Sequence, residues 1–94
     1  MCDLDLMREI LAALIDDTSR QIQLLAAAIR DQDSHRCARL AHYSKGACAN
    51  VGANRAAALF QHLERNASAG AFGVCGQALE TLTGEIELLR HEPI

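Results

Sequence analysis

The sequence predicts an all-α protein, and three observations carry this prediction. Hydrophobic residues make up 50% of the 94 residues but aromatic residues only 3%, so the core must be built from leucine, isoleucine and alanine. The abundance of alanine, leucine, arginine, glutamate and glutamine favours helix. Apolar residues recur at alternating spacings of three and four, and no stretch shows the alternation of a strand. This length predicts a single domain over residues 1–94.

The first helix is predicted to begin near Leu4. Its apolar seam consists of residues spaced three or four apart: Leu4, Met7, Leu11, Leu14, Thr18, Ile22, Leu25 and Ile29. The segment 16–19, Asp-Asp-Thr-Ser, is poor in helix formers and rich in N-capping residues. Two alternatives follow: one helix of about 27 residues, or a short N-terminal helix followed by a longer one.

The second helix is predicted between Asp33 and Val51. Asp33 is the favoured N-cap and Ser34 the alternative, because either side chain can accept a hydrogen bond from a free amide of the first turn. Gly52 is the predicted C-cap. We expect the hydroxyl of Ser44 to bond back to a carbonyl of the preceding turn, since Ser44 falls on the apolar side of the helix. That side comprises Cys37, Leu40, Ala41, Ser44, Ala47, Cys48 and Val51.

Two further helices complete the predicted bundle. Asn54 is the predicted cap of a third helix over residues 55–66, which is followed by a turn over residues 66–70. The last helix has apolar residues at spacings of three and four over 72–89, and Pro93 marks its end. Short turns place consecutive helices antiparallel. The predicted fold is therefore an antiparallel up-down-up-down four-helix bundle, with or without an extra short N-terminal helix.

His42 is predicted to lie on the exposed face of the second helix, about 160° from the centre of its apolar side. Ala38, Gly46 and Ala49 share the face of His42, and Lys45, the only lysine in the chain, flanks it. A glycine within a helix costs about 1 kcal/mol relative to alanine, so Gly46 is expected to serve a purpose other than helix stability. The pattern indicates an imidazole on a strip of small side chains, open to the surface of another molecule.

Charge, hydropathy and cysteine spacing exclude several classes of function. The net charge of −3 and the pI near 5.7 argue against nucleic acid as a partner. No apolar run approaches the roughly 18 residues of a membrane span, and no signal peptide is recognisable. We expect no disulfide and no metal site but reduced thiols in a cytoplasmic protein, because no C-x-x-C pair occurs. The four cysteines are Cys2, Cys37, Cys48 and Cys75.

The motif around His42 resembles that of histidine-containing phosphotransfer (HPt) domains of two-component phosphorelays. The family pattern is Ala-His, two variable residues, Lys-Gly, and a Gly-Ala pair after a short stretch of small residues. An aspartate cap before the histidine and a Leu-Glu pair on the next helix also belong to it. The matching residues here are Ala41-His42, Lys45-Gly46, Gly52-Ala53, Asp33 and Leu63-Glu64. The resemblance is clearest over residues 20–67.

The resemblance implies a phosphoryl carrier without catalytic activity of its own. His42 would accept a phosphoryl group from an aspartyl phosphate of a response-regulator receiver domain and pass it to another receiver. Lys45 would offset part of the added charge, and Gly46 would keep the approach open. Glu64, or Gln61 one turn before it, would hold the other imidazole nitrogen. Mg²⁺ would come from the receiver.

We expect a receiver to dock at Ala38, Arg39 and Ala49, because the two alanines share the face of His42. Arg36 and Arg39 could steer an acidic receiver. Tyr43-Ser44 fill the variable pair, in which a small residue and a leucine are more usual. Two alternatives stay open: a phosphoacceptor domain of a histidine kinase, fed from ATP by a separate catalytic domain, and a helical adaptor that is never phosphorylated. The chain has no nucleotide-binding motif, so we expect no kinase activity in it.

Overall fold

The computed structural model describes residues 3–91, which form four α-helices joined by three-residue turns. The helices are α1 (Asp3–Arg30), α2 (Ser34–Asn50), α3 (Asn54–Ser68) and α4 (Phe72–His91). They contact one another in a ring, α1 with α2, α2 with α3, α3 with α4 and α4 with α1. No strand occurs within residues 3–91, so the all-α prediction is confirmed. Cys2 and Pro93, on which two predictions depend, lie outside these residues.

Helix α1 is continuous over 28 residues. The extra short N-terminal helix is therefore absent from the described part of the chain, and the single-helix alternative is confirmed. The fully buried hydroxyl of Thr18 donates to the carbonyl of Leu14 at 2.7 Å. Packing of this turn against the core outweighs the weak helix propensity of residues 16–19. The bond to Leu14 satisfies the hydroxyl of Thr18, so its burial leaves no unpaired polar group.

The predicted seam of α1 is buried only in part, since Leu4 and Met7 are exposed. The 28 residues of α1 span about 42 Å, whereas the 17 residues of α2 span about 26 Å. The first turns of α1 therefore extend beyond its neighbour. Val51, predicted on the apolar side of α2, is also exposed because it follows the last helical residue. Within residues 3–91, none of the helices has the length and hydrophobicity to cross a bilayer.

The core is mostly aliphatic, but its largest fully buried side chain is the aromatic Phe60 of α3. Helix α2 contributes small residues, among them the fully buried Ala41 and Ser44, which let α3 approach closely. The hydroxyl of Ser44 donates to the carbonyl of Leu40 at 2.9 Å, as predicted. The buried side of α2 is thereby fixed against the bundle, and this fixes the direction in which His42 points.

The first three helices end in the same hydrogen-bonding motif. After α2, the amides of Gly52 and Ala53 bond to carbonyls three and five residues earlier, at 3.1 and 2.9 Å. Gly52 is left-handed, with a φ of 79°, so it follows the cap residue Val51 instead of being the cap itself. Gly70 takes this place after α3 with a φ of 73°, and Gln32 after α1 with a φ of 55°.

The helix starts agree with the sequence for α2 and differ for α3. Asp33 caps α2, because its side chain accepts from the amide of Arg36 at 3.1 Å. Ala53, and not Asn54, is the N-cap of α3, and it makes no side-chain cap bond. The tight turn after α2 brings the chain back into helix one residue earlier than predicted.

Helix α3 also ends later than predicted, at Ser68. The side chain of Asn66 donates to the carbonyl of His62 at 2.8 Å, within the helix. Asn66 therefore satisfies its polar group without ending the helix, and the turn is formed by residues 69–71.

Candidate functional site

His42 lies on the exposed face of α2, with 68% of its side chain accessible. Gly46, one turn further on, is exposed, and a Cβ built there would meet nothing within 4 Å. Ala49 is exposed and Ala38 half-buried, whereas Ala41 beside His42 is fully buried. The helical period thus places the imidazole where the sequence predicts it, on a surface with little side-chain bulk.

Glu64 of α3 holds the imidazole from the side. Its Oε2 lies 2.9 Å from Nδ1 of His42, and the two residues are 22 positions apart in the chain. Leu63, next to Glu64, is fully buried and fixes this part of α3 against the core. Of the two candidates for this contact, Gln61 and Glu64, the structure brings Glu64 to the ring.

Lys45 binds the other oxygen of the same carboxylate. Its Nζ donates to Oε1 of Glu64 at 2.9 Å, and only 29% of its side chain is exposed. The hydrogen bond from Lys45, aided by that from His42, lowers the pKa of Glu64 against the opposing effect of burial. Glu64 is therefore an anion that bridges His42 and Lys45.

This bridge determines which imidazole nitrogen carries the proton. A carboxylate can only accept hydrogen bonds, so Nδ1 of His42 must donate to Glu64. In a neutral imidazole the lone pair then lies on Nε2. The contact with Glu64 also fixes the orientation of the ring. The neutral form of His42 therefore presents the lone pair of Nε2 on an exposed side chain, which is the arrangement of a nucleophile.

The opposite flank of His42 faces α1 and is less polar. Tyr43 donates its hydroxyl to Oδ2 of Asp17 at 2.8 Å, and this bond raises the pKa of Tyr43. Arg39, a predicted docking residue, is exposed and lines a groove on this flank with His42. The pair of Asp17 and Tyr43 is not predicted by the sequence. Helical periodicity holds no signal for it, because the residues lie 26 positions apart on different helices.

A comparison with known protein families finds a match that covers the site. The family model described as Hpt domain matches residues 9–92, which include His42, Lys45 and Glu64. Among curated proteins and among solved structures, none matches the chain significantly.

Proposed function

Because the chain belongs to the Hpt domain family, we propose that His42 is its phosphoacceptor. Hpt domains are phosphocarriers that lack catalytic activity of their own and interact with receiver domains and kinases in two-component systems. The observation that carries the proposal is the bond between Glu64 and Nδ1 of His42, which leaves Nε2 of an exposed ring as the nucleophile. The donor we propose is the aspartyl phosphate of a receiver domain.

The transfer would proceed by direct displacement at phosphorus. Nε2 of His42 attacks the phosphorus, a nitrogen–phosphorus bond forms, and the bond from phosphorus to the aspartyl oxygen breaks. The aspartate leaves as a carboxylate and needs no proton. The imidazole gains positive charge in this step, and the anionic Glu64 at Nδ1 stabilises that charge. Attack by the aspartate of a second receiver reverses the step and passes the phosphoryl group on.

Lys45 and Gly46 support this transfer in different ways. Lys45 lies one turn from His42, so its ammonium group lowers the cost of bringing a phosphoryl dianion to the ring. It would do so while bonded to Glu64. Gly46 would leave the approach to the ring open, since it adds no side chain on the exposed face. We propose that Mg²⁺ is supplied with the receiver, where it offsets the charge of the aspartyl phosphate.

Contacts between helices within residues 3–91 support an antiparallel bundle, and we propose that residues 1–94 are one domain. Ser34, at the start of α2, donates to the carbonyl of Ala67, near the end of α3. Leu89, near the end of α4, lines one groove with Met7 of the early part of α1. Thr83, earlier in α4, lines another groove with Gln23, later in α1. Both helix pairs therefore run in opposite directions.

We also propose that the protein works in the cytoplasm, where its phosphodonor and its acceptor would be found. Three buried cysteines in the described part of the chain carry free thiols, which suits a reducing compartment. They are Cys37, Cys48 and Cys75.

The substitution His42→Gln tests the proposal, with His62→Gln on α3 as the matched control. Both residues are exposed, so neither change should alter the melting temperature appreciably. We expect His42→Gln to abolish acid-labile, alkali-stable labelling by a phosphorylated receiver and by phosphoramidate, and His62→Gln to retain both. Labelling that survives in His42→Gln would refute the assignment. Wild-type protein labelled by a kinase with ATP, but by no receiver, would instead establish the kinase-fed alternative.

A further inference from the structure

A groove between α1 and α2 adjoins the imidazole of His42. Two large side chains with apolar surface are open to solvent in it, Leu24 at 37% and Tyr43 at 54% exposure. Arg39 contributes a positive charge on the same side. The groove is lined by Gln21, Leu24, Arg39, Leu40, His42 and Tyr43.

Tyr43 is held in place although it contributes little to the core. Its hydroxyl bonds to Oδ2 of Asp17 at 2.8 Å, and Gln21 bonds to the other oxygen of that carboxylate at 3.4 Å. A tyrosine fixed before binding loses little further freedom when a partner covers it, and it offers a large contact area. The bond to Asp17 therefore prepares the ring for contact with a partner.

The two flanks of His42 differ in chemistry. On the α3 side, Glu64 and Lys45 bond to each other and to the ring. On the α1 side, Leu24 and Tyr43 provide apolar surface. A partner therefore gains binding energy on the α1 side, where it excludes water from apolar surface. On the α3 side the polar groups are already bonded to the imidazole and to each other.

A partner that phosphorylates Nε2 must also cover this groove. The reacting atoms have to approach to about 3–3.5 Å, and a stable protein interface covers about 800 Å² on each partner, a disc with a radius of about 16 Å. Since His42 is one of the residues that line the groove, a disc of this radius centred on His42 includes the groove. The groove is thus continuous with the contact that phosphotransfer requires.

On the basis of the proposed phosphotransfer at His42, we propose that Tyr43, held by Asp17, is a specificity-determining residue for the receiver domain. The fitting receiver presents an aliphatic patch beside its aspartyl phosphate, which packs on Tyr43 and Leu24. Acidic side chains at the rim of that patch face Arg39. Receivers with a polar or basic surface at this place bind and transfer poorly.

The experiment compares transfer from several phosphorylated receivers of the same organism with labelling by phosphoramidate. The variants are Tyr43→Ala, Tyr43→Phe and Leu24→Gln, and the matched control is Val74→Ala. Val74 is an apolar residue with 37% exposure on α4, a helix that does not contact α2 among residues 3–91. Melting curves establish that each variant is folded.

We expect Tyr43→Ala to slow transfer from the preferred receiver at least tenfold, through weaker binding, and to slow transfer from poor receivers less. Leu24→Gln should act in the same direction, and Tyr43→Phe, which keeps the ring, should lose less. Val74→Ala should match the wild type, and phosphoramidate should label every variant within about twofold of the wild type. Wild-type transfer by Tyr43→Ala, or an equal loss with every receiver, would overturn the proposal. Wild-type protein labelled by neither donor would refute phosphotransfer at His42 itself.

Discussion

Substitutions at Gly46 separate the stability of the bundle from access to His42. Gly46 lies inside α2 on its exposed face, and a Cβ there would meet nothing within 4 Å. Alanine favours a helix interior over glycine by about 1 kcal/mol, and no clash opposes that gain. A stabilisation of this size raises the melting temperature of a domain of this length by about 4–8 °C. We expect Gly46→Ala to show such a rise in thermal melts followed by circular dichroism.

Gly46→Gln adds a long side chain one turn from the imidazole. Glutamine is nearly as good a helix former as alanine, so this variant should also melt above the wild type. The new side chain stands on the face that a receiver must approach, and we expect transfer from a phosphorylated receiver to fall at least tenfold, about 1.4 kcal/mol in the barrier. Labelling by phosphoramidate, a much smaller donor, should fall far less.

Gly84→Gln provides the matched control. Gly84 is also an exposed helical glycine with no atom within 4 Å of a built Cβ, but it lies on α4. This variant should gain stability and transfer at the wild-type rate. A lower melting temperature for Gly46→Ala would show that the glycine serves packing and that Gly46 does not lie on the open face of α2. Normal transfer by Gly46→Gln would show that receivers do not dock over this face.

Three further variants test residues around the site and one helix end. Glu64→Gln should reduce phosphoramidate labelling several-fold, because the amide can donate to Nδ1 and shift the proton to Nε2; unchanged labelling would contradict this. Because the pKa of Glu64 is lowered from 4.5 in the folded state, its ionised carboxylate stabilises the fold at pH values above 4.5. This contribution is lost as the pH falls through the lower pKa of the folded state. The urea midpoint of Glu64→Gln should therefore fall less on acidification than that of the wild type. Lys45→Ala should slow transfer from a receiver and shorten the lifetime of the phosphohistidine only in part; wild-type values for both would show that Lys45 is incidental. Gln32→Gly should raise the free energy of unfolding by up to about 1 kcal/mol and so raise the urea midpoint, because glycine tolerates the left-handed conformation; a lower midpoint would show that Gln32 is not strained.

The features of α2 that were predicted correctly depend on residues close together in the chain. The cap at Asp33 involves an amide three residues away, and the bond of Ser44 a carbonyl four residues away. The exposure of His42 and Gly46 follows from the helical period once the buried side is recognised. Such features need no knowledge of neighbouring helices, which is why the sequence alone determined them.

Local signals were insufficient where packing or the adjoining turn decides the outcome. Residues 16–19 favour a break, yet burial of Thr18 in the core keeps α1 continuous. Asn54 has the chemistry of a cap, but the turn around Gly52 places the start of α3 one residue earlier. In both places the tertiary contacts contribute more free energy than the intrinsic preference of one or two residues.

The partners of His42 and Tyr43 were decided by the tertiary structure alone. Glu64 and Gln61 lie one turn apart on α3, and periodicity cannot tell which of them reaches the imidazole. The choice depends on the rotation and axial position of α3 relative to α2, which are set by core side chains such as Phe60 and Ala41. The contact between Asp17 and Tyr43 depends in the same way on how α1 packs against α2. The sequence determined which face of α2 is open, and the packing of its neighbours determined which side chains stand beside it.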